Sequence, residues 1–181
     1  MSGPELVCGA CGTGLAAPSK FCPECGAALA AGIPAELKQV TVLFADVVSS
    51  MDIAAAVGPE RLREIMNDVF ASAARATRRY GGTVDKFTGD GIMAVFGAPV
   101  ALEDHAVRAC RAALEIHAAV VDLVDEVSRR DGVELRLRVG LNSGEVIAGE
   151  MGSGAAGYTA IGEQVGRAQR MESVAPPGPS R

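Results

Sequence analysis

The order of hydrophobic patterns along the chain constrains its fold more than any other feature of the sequence. A continuous β-favouring run at residues 40–45 precedes an amphipathic helical pattern that opens at Gly58-Pro59 and closes at Gly81-Gly82. Two short β-rich runs follow, joined around Gly89-Asp90-Gly91, and an Asp-Gly pair between such runs is typical of a hairpin. This half of the chain therefore predicts a strand, a helix and a β-hairpin.

The next segment predicts a second helix and two more strands. Apolar positions recur at steps of three and four through residues 99–130, which predicts one long helix. Apolar and charged residues alternate through 133–141, and Asn142-Ser143-Gly144 predicts a turn into a further strand at 145–150. The order βαββαββ predicts an α+β protein, a ferredoxin-like (βαββαβ) antiparallel sheet with helices on one face.

Four of the five cysteines lie near the N-terminus as two Cys-x-x-Cys pairs, Cys8 with Cys11 and Cys22 with Cys25. Four thiolates at this spacing suit a tetrahedral Zn²⁺, and the segment resembles the small zinc ribbons of many bacterial proteins. The alternative is a redox dithiol, for which one pair would be enough. We expect residues 1–30 to form a ribbon around structural Zn²⁺, with a linker at 31–37.

Charge and hydropathy limit the partners that this chain can have. Its formal net charge is -5 at pH 7, whereas a protein that binds duplex nucleic acid normally carries a basic face. No apolar stretch approaches the roughly 20 residues that span a bilayer, and the N-terminus lacks the pattern of a signal peptide. We therefore expect a cytoplasmic protein with no membrane or nucleic-acid partner, although the ribbon could bind another protein.

Two aspartates are placed where the predicted fold brings them to one edge of the sheet. Asp46 follows the first strand, and Asp90 occupies the hairpin turn. A pair of carboxylates without a nearby histidine suits hard cations such as Mg²⁺ or Mn²⁺. Each aspartate could instead serve only local turn geometry, because aspartate is common in turns.

Several motifs together resemble the catalytic domain of class III adenylate and guanylate cyclases, over residues 38–181. The motifs are Phe44-Ala-Asp46-Val-Val-Ser-Ser50, the segments 85–96 and 138–146, and Tyr158-Thr-Ala-Ile-Gly162. Segment 163–173 looks especially like actinobacterial members. The resemblance implies a palm-like fold and a head-to-tail homodimer with two sites at its interface.

The resemblance also implies the chemistry of those sites. Asp46, Asp90 and the carbonyl of Val47 match the ligands of two Mg²⁺ or Mn²⁺ ions. The implied reaction converts ATP to 3′,5′-cyclic AMP and pyrophosphate, in the service of cyclic nucleotide signalling.

Three further positions match residues that contact the nucleotide in the family. Lys86 and Thr159 match the pair that recognises the base, and Lys86 would come from the opposite subunit. Lysine only donates hydrogen bonds, so it suits the N1 acceptor of adenine and opposes the N1 hydrogen of guanine. Arg170 matches the arginine that stabilises charge on the α-phosphate.

Two departures from the family pattern support a different hypothesis. Gly166 stands where the family has an asparagine, and the chain ends soon after Gly178, where the family continues into further strands. We therefore expect a domain that lacks its C-terminal strands. The alternative to an active cyclase is a degenerate domain that binds nucleotide or dimerises as a regulatory module.

Overall fold

The computed structural model describes residues 6–8, 10–15, 22–26, 35–150 and 158–178. Near the N-terminus, strands β1 (Leu6–Val7) and β2 (Gly14–Leu15) form a short antiparallel pair. The predicted linker at 31–37 lies partly outside the described residues, and its last two residues belong to the next strand. That strand begins at Glu36, two residues before the predicted boundary at residue 38.

The main domain is built on one five-stranded antiparallel sheet. Its strands are β3 (Glu36–Val47), β4 (Thr83–Phe87), β5 (Gly91–Phe96), β6 (Leu137–Glu150) and β7 (Tyr158–Ile161). They lie in the order β4-β5-β3-β6-β7, so each helical crossover encloses one strand between the two that it connects. This is the arrangement of a ferredoxin-like sheet, and the predicted fold class is confirmed.

Four helices cover one face of the sheet. They are α1 (Ser50–Val57), α2 (Pro59–Arg79), α3 (His105–Ala119) and α4 (Val121–Asp131). Their apolar residues pack against Leu43, Ala45 and Val47 of β3 and against alternate residues of β5. The proline start of α2 is confirmed, whereas α1 was not predicted. Within the described part of the chain, no helix is both long and apolar enough to cross a membrane.

A fifth helix, α5 (Glu163–Val174), packs on the opposite face of the sheet. The prediction placed the helices on one face only, and α5 contradicts that part of it. Its residues Val165 and Ala168 meet the second set of alternating strand residues, which includes Val42 and Phe44. The sheet is therefore buried on both faces near its centre, which explains why β3 is apolar without alternation.

Two predicted element boundaries were wrong. Residues 99–130 do not form one helix, because α3 begins at His105 and ends at Ala119, and Val120 separates it from α4. The two consecutive β-branched residues Val120 and Val121 are weak helix formers, so the helical pattern is least stable there.

The predicted turn at 142–144 is absent, because β6 runs straight through it. Asn142 and Ser143 pair in register with Val42 and Thr41 of β3. A long partner strand supplies ladder hydrogen bonds along this whole segment, and these outweigh the local turn preference of Asn-Ser-Gly. The residues just before Leu137, predicted as strand, lie outside β6.

Candidate active site

The end of β3 and the β4–β5 hairpin bring Asp46 and Asp90 together, as predicted. Asp46 is in register with Gly91, and the Val47 N–H donates to the backbone oxygen of Asp90 at 3.1 Å. The hydroxyl of Ser50, the first residue of α1, donates to Asp90 Oδ2 at 2.7 Å. Ser50 had no predicted role, although its place as the last residue of the first motif could have indicated one.

The two carboxyl groups differ in their affinity for a proton. Burial, followed by the neighbouring charge of Asp90, raises the pKa of Asp46 to about 7. Desolvation also opposes ionisation of Asp90, but hydrogen bonds from Ser50 and with Asp46 hold the pKa of Asp90 below its usual value. Two carboxyls that share a hydrogen bond and compete for one proton form an oxygen-rich donor set that fits a divalent cation.

Val47 can contribute to such a site only through its backbone. Its side chain is 1% exposed and packs among the helices on the other face of the sheet. Its N–H is already bonded to Asp90. The carbonyl therefore remains the group that matches the predicted ligand.

Arg138 of β6 connects the carboxylate pair to α5. Its guanidinium lies 3.7 Å from Asp46 Oδ2 and 3.1 Å from Glu172 Oε1, and it donates to the backbone oxygen of Ser173 at 3.0 Å. A guanidinium that bridges two carboxylates compensates charge that burial would otherwise penalise. Arg138 is the first residue of the motif 138–146, and no role was predicted for it.

Close backbone packing fixes α5 against β6 beside this arginine. A Cβ atom at Gly140 would collide with the backbone of Glu172, so only glycine fits there. Two residues further along the same face, Asn142 Nδ2 donates to Gln164 Oε1 at 2.7 Å. The position of α5, and of every residue that it carries, therefore depends on alternate residues of β6.

Arg170 and Gly166 lie one helical turn apart on α5. Arg170 is exposed and borders an open cleft of about 410 Å³ that Asn142 and Met171 also line. A Cβ atom at Gly166 would approach the end of the Arg170 side chain at 3.4 Å, and that side chain is flexible. The helix therefore has room for a side chain at the position where this chain departs from the family pattern.

Lys86 and Thr159 meet where the two edges of the sheet curl toward each other. Lys86 Nζ donates to Thr159 Oγ1 at 3.0 Å, joining β4 to β7. The carboxylate of Asp85 accepts from Thr159 Oγ1 at 2.9 Å and from the N–H of Ala160 at 3.0 Å. Asp85 had no predicted role, although it opens the motif 85–96 directly before Lys86.

The four N-terminal cysteines form a compact cluster in which all sulfur atoms lie within 4.8 Å of one another. Sγ atoms of Cys8 and Cys25 are 3.7 Å apart, and those of Cys11 and Cys22 are 3.6 Å apart. A tetrahedral ion with zinc–sulfur bonds of ~2.3 Å requires sulfurs about 3.8 Å apart, so the cluster could hold zinc.

The backbone and the thiol chemistry of this cluster also suit a metal. Gly12 and Gly26, both with positive φ, donate their N–H groups to the carbonyls of Cys8 and Cys22 and close the two turns. Hydrogen bonds with the side chain and backbone of Thr13 lower the pKa of Cys11 to about 6. A low thiol pKa favours the thiolate, which is the form that binds metals.

Comparison with known proteins identifies the family. The model of the adenylate and guanylate cyclase catalytic domain matches residues 34–179. This chain belongs to that family. The cyclase resemblance inferred from the motifs is therefore confirmed, and the match begins just before β3.

Individual relatives include cyclases of both nucleotide specificities. The chain is 33% identical over 148 residues to guanylate cyclase soluble subunit beta-2 of Rattus norvegicus, covering 82% of this chain and 21% of that protein. The crystal structure of the guanylyl cyclase Cya2 superposes with a TM-score of 0.75 at 30% identity, covering 79% of this chain and 73% of Cya2. The adenylyl cyclase CyaB from P. aeruginosa gives a TM-score of 0.73 at 28% identity, covering 80% of this chain and 76% of CyaB. The chain thus spans about a fifth of the curated relative and most of each solved domain.

Proposed function

We propose that two copies of this chain form an adenylate cyclase, which converts ATP to 3′,5′-cyclic AMP and pyrophosphate in cyclic nucleotide signalling. The Asp46–Asp90 pair carries this proposal. It offers oxygen ligands of the kind that divalent cations prefer, at the end of the central strand β3 beside the turn of the β4–β5 hairpin.

The residues of the site would have different chemical roles. Asp46, Asp90 and the Val47 carbonyl would hold two Mg²⁺ or Mn²⁺ ions, which supply a lowered pKa for the ribose 3′-hydroxyl and neutralise triphosphate charge. The 3′-hydroxyl loses its proton to solvent water, and its oxygen bonds to the α-phosphorus while the bond from that phosphorus to the bridging oxygen breaks and releases pyrophosphate. Arg170 would donate hydrogen bonds to the α-phosphate oxygens as their charge develops.

Exposed apolar residues support a site shared between two copies in a head-to-tail homodimer. Phe87, next to Lys86, is 55% exposed, and Met51, next to Ser50, is 78% exposed. Large apolar side chains in solvent beside two parts of a site are typical of a surface that a partner covers. In the proposed dimer, Lys86 and Thr159 of one protomer recognise the base of a nucleotide whose triphosphate lies at Asp46 and Asp90 of the other.

The hydrogen bond between Lys86 and Thr159 supports ATP as the substrate. Lys86 can only donate, so it suits the N1 acceptor of adenine and opposes the N1–H of guanine. The hydroxyl of Thr159 can accept from the adenine amino group. In this proposal, the side chains of Lys86 and Thr159 of one protomer therefore select adenine.

The direct test is turnover by purified protein with ATP or GTP, in the presence of Mn²⁺ or Mg²⁺, followed by mass spectrometry. We expect cyclic AMP from ATP, much less cyclic GMP from GTP, and no product from Asp90→Ala. If the wild type binds ATP but makes no cyclic nucleotide, the proposed enzyme is rejected.

Gly166 favours a second candidate function. The family pattern has an asparagine at position 166, whereas α5 of this chain has a glycine there. One hydrogen-bond donor near Arg170 is therefore missing. A domain weakened in this way could bind nucleotide or dimerise as a regulatory module. That candidate predicts ATP binding and dimerisation without turnover.

We also propose that the N-terminal ribbon, residues 1–30, binds structural Zn²⁺ through Cys8, Cys11, Cys22 and Cys25 and could contact a protein partner. A closed four-thiolate site leaves no coordination position for catalysis, and residues 31–37 would link it to the cyclase domain. Metal analysis of the purified protein should give one zinc per chain, and Cys8→Ser should lower it. Undiminished cyclase activity after zinc removal would assign the ribbon a role outside the reaction.

A further inference from the structure

Asp85 is a buried carboxylate that holds the two edges of the curled sheet together beside the base-recognising pair. Its side chain is only 3% exposed. It accepts hydrogen bonds from Thr159 Oγ1 and from the N–H of Ala160, both on β7. The pairing of β4 with β5 shifts register between Val84 and Lys86, so Asp85 lies at an irregularity of the strand. Such an irregularity redirects a side chain that regular pleating would place elsewhere.

The hydrogen bonds of Thr159 have only one consistent direction. A carboxylate can only accept, so the single hydroxyl hydrogen of Thr159 points to Asp85, whose two oxygens both lie 2.9 Å away. An ammonium can only donate, so Lys86 at 3.0 Å occupies one lone pair of the same oxygen. One lone pair is left, and Thr159 can offer a ligand only an acceptor.

Lys86 is oriented by the same carboxylate. One of its three N–H groups is directed to Thr159, and its Nζ lies 3.4 Å from Asp85 Oδ1. At least one N–H remains for a ligand. The pair therefore presents a donor from Lys86 next to an acceptor from Thr159.

We propose that Asp85 is a specificity-determining positioning residue, which fixes the Thr159 hydroxyl as an acceptor and thereby selects adenine over guanine. This inference rests on the proposed function, because it assigns the base to Lys86 and Thr159. The adenine edge carries an acceptor at N1 beside an amino donor, which complements the pair. The guanine edge carries a donor at N1 beside the O6 acceptor, so both of its groups oppose the pair.

Replacing Asp85 by asparagine changes this polarity with little change in shape. The asparagine oxygen can still accept from the Ala160 N–H, while its amide N–H₂ can donate to Thr159. The Thr159 hydroxyl is then free to donate to guanine O6. Since a hydrogen-bonded pair placed against the wrong partner typically costs tenfold or more in discrimination, we expect Asp85→Asn to lower the ATP-to-GTP selectivity about tenfold.

The experiment compares kcat/KM for ATP and for GTP in the wild type, in Asp85→Asn and in a matched control, Asp104→Asn. Asp104 is an exposed aspartate that also accepts a side-chain hydrogen bond, from Arg108 at 2.6 Å. The control should keep the wild-type ratio. A merely structural role for Asp85 would lower turnover of both nucleotides equally, and an unchanged ratio in Asp85→Asn overturns the proposal.

Two further variants keep the test decisive if Asp85→Asn does not fold. Asp85→Ser places a smaller hydroxyl that can donate or accept, so it should relax selectivity in the same direction. Asp85→Glu retains a carboxylate and should keep the preference for ATP. Selectivity that is retained in Asp85→Ser, or lost equally in both variants, contradicts an orienting role.

Equilibrium binding of the α,β-methylene analogues of ATP and GTP separates this inference from the proposed enzyme. If the wild type prefers the adenine analogue but makes no product, and Asp85→Asn loses that preference, the role of Asp85 stands and the cyclase is rejected. If the wild type makes cyclic AMP and Asp85→Asn keeps its selectivity, the cyclase stands and the role of Asp85 is rejected. Binding of neither analogue rejects both.

Discussion

Among single residues, Asp90 is the more readily ionised carboxyl of the pair, because its pKa is held below the usual value whereas burial raises the pKa of Asp46 to about 7. Asp90→Asn keeps the size of the side chain and an acceptor for the Ser50 hydroxyl, but it removes the charge that a divalent cation requires. We expect cyclase activity to fall about 10²- to 10³-fold, by analogy with the loss of one preorganised electrostatic contact. The measurement is cyclic AMP production at saturating Mn²⁺.

Asp68→Asn is the matched control for that variant, because Asp68 is an exposed residue of α2 on the outer face of the molecule. It should leave both activity and thermal stability unchanged. Equal losses in the two variants would mean that the effect of Asp90→Asn is not specific to the carboxylate pair.

Gly166 is the residue at which activity should be easiest to gain. Gly166→Asn adds an amide one turn from Arg170, in a position where the flexible end of that arginine is the neighbour that the described residues provide. If the missing donor limits the reaction, kcat should rise about tenfold or more with little change in KM. Gly166→Ala, which adds no donor, separates this effect from a gain in helix propensity, and an equal rise in both variants would contradict the assignment.

At the scale of elements, the contact between β6 and α5 depends on the absence of a side chain at Gly140. A methyl group there would meet the backbone of Glu172, which cannot move without shifting the helix. Gly140→Ala should therefore lower the free energy of unfolding by about 1–3 kcal/mol, the usual range for overpacking. Urea denaturation provides the measurement.

Gly166→Ala is the control with the opposite sign. The same substitution, in the open middle of α5, should raise the free energy of unfolding by about 0.5–1 kcal/mol, because alanine is the better helix former. Destabilisation of similar size at both positions would show that the strand–helix contact is not what Gly140 protects.

An ion pair between helices gives the fold a defined pH dependence. Arg61 near the start of α2 contacts both oxygens of Asp131, the last residue of α4, at 3.2 and 3.1 Å. This hydrogen bonding holds the pKa of Asp131 below its usual value of 3.8. Because the folded pKa is the lower one, the pair stabilises the fold above pH 3.8 and loses that contribution as the pH falls through the folded value.

Asp131→Asn therefore should be less stable than the wild type at neutral pH, and the difference should shrink as the pH falls below about 4. Urea denaturation at pH 7 and at pH 3 measures it. A difference that stays constant over this range, or grows toward acid, would contradict the assignment of the pair.

Short sequence patterns predicted the elements that carry the Asp46–Asp90 pair. The Asp-Gly turn placed Asp90 in a hairpin, and the apolar run before Asp46 placed it at the end of a central strand. Local signals misplaced the turn at 142–144, because the ladder with β3 is a long-range interaction. The role of Asp85 also depends on long-range contacts, because its partners on β7 lie 74 and 75 residues away in sequence. Local patterns therefore could not predict it.

On the scale of the whole molecule, the helix on the second face could not be deduced from periodicity. A stripe of apolar residues predicts that a helix is buried on one side, but it does not say which face of a sheet receives it. The packing of Gly140 under α5 decides that question, and it also brings Arg138 between Asp46 and Glu172. The resemblance to the family predicted which residues form the site. The position of Arg138 between Asp46 and Glu172 could be seen only in the folded structure.

In the proposed dimer, residues of both chains form each site. The most direct test therefore places one site substitution in each of the two protomers. Lys86→Ala and Asp90→Asn protomers, with different affinity tags, are co-expressed and the mixed dimer is purified. In a head-to-tail dimer, one of its two sites retains both residues, so it should show about half of the wild-type activity. Each variant alone should be nearly inactive.

The matched control is the mixed dimer of a wild-type protomer with the double variant Lys86→Ala/Asp90→Asn, which carries the same substitutions in one chain. The proposed composite site predicts almost no cyclic AMP from this dimer, because each site contains one altered residue, and about half of the wild-type activity from the other. The reverse result, with activity only where one chain is fully intact, would contradict a site shared between two copies.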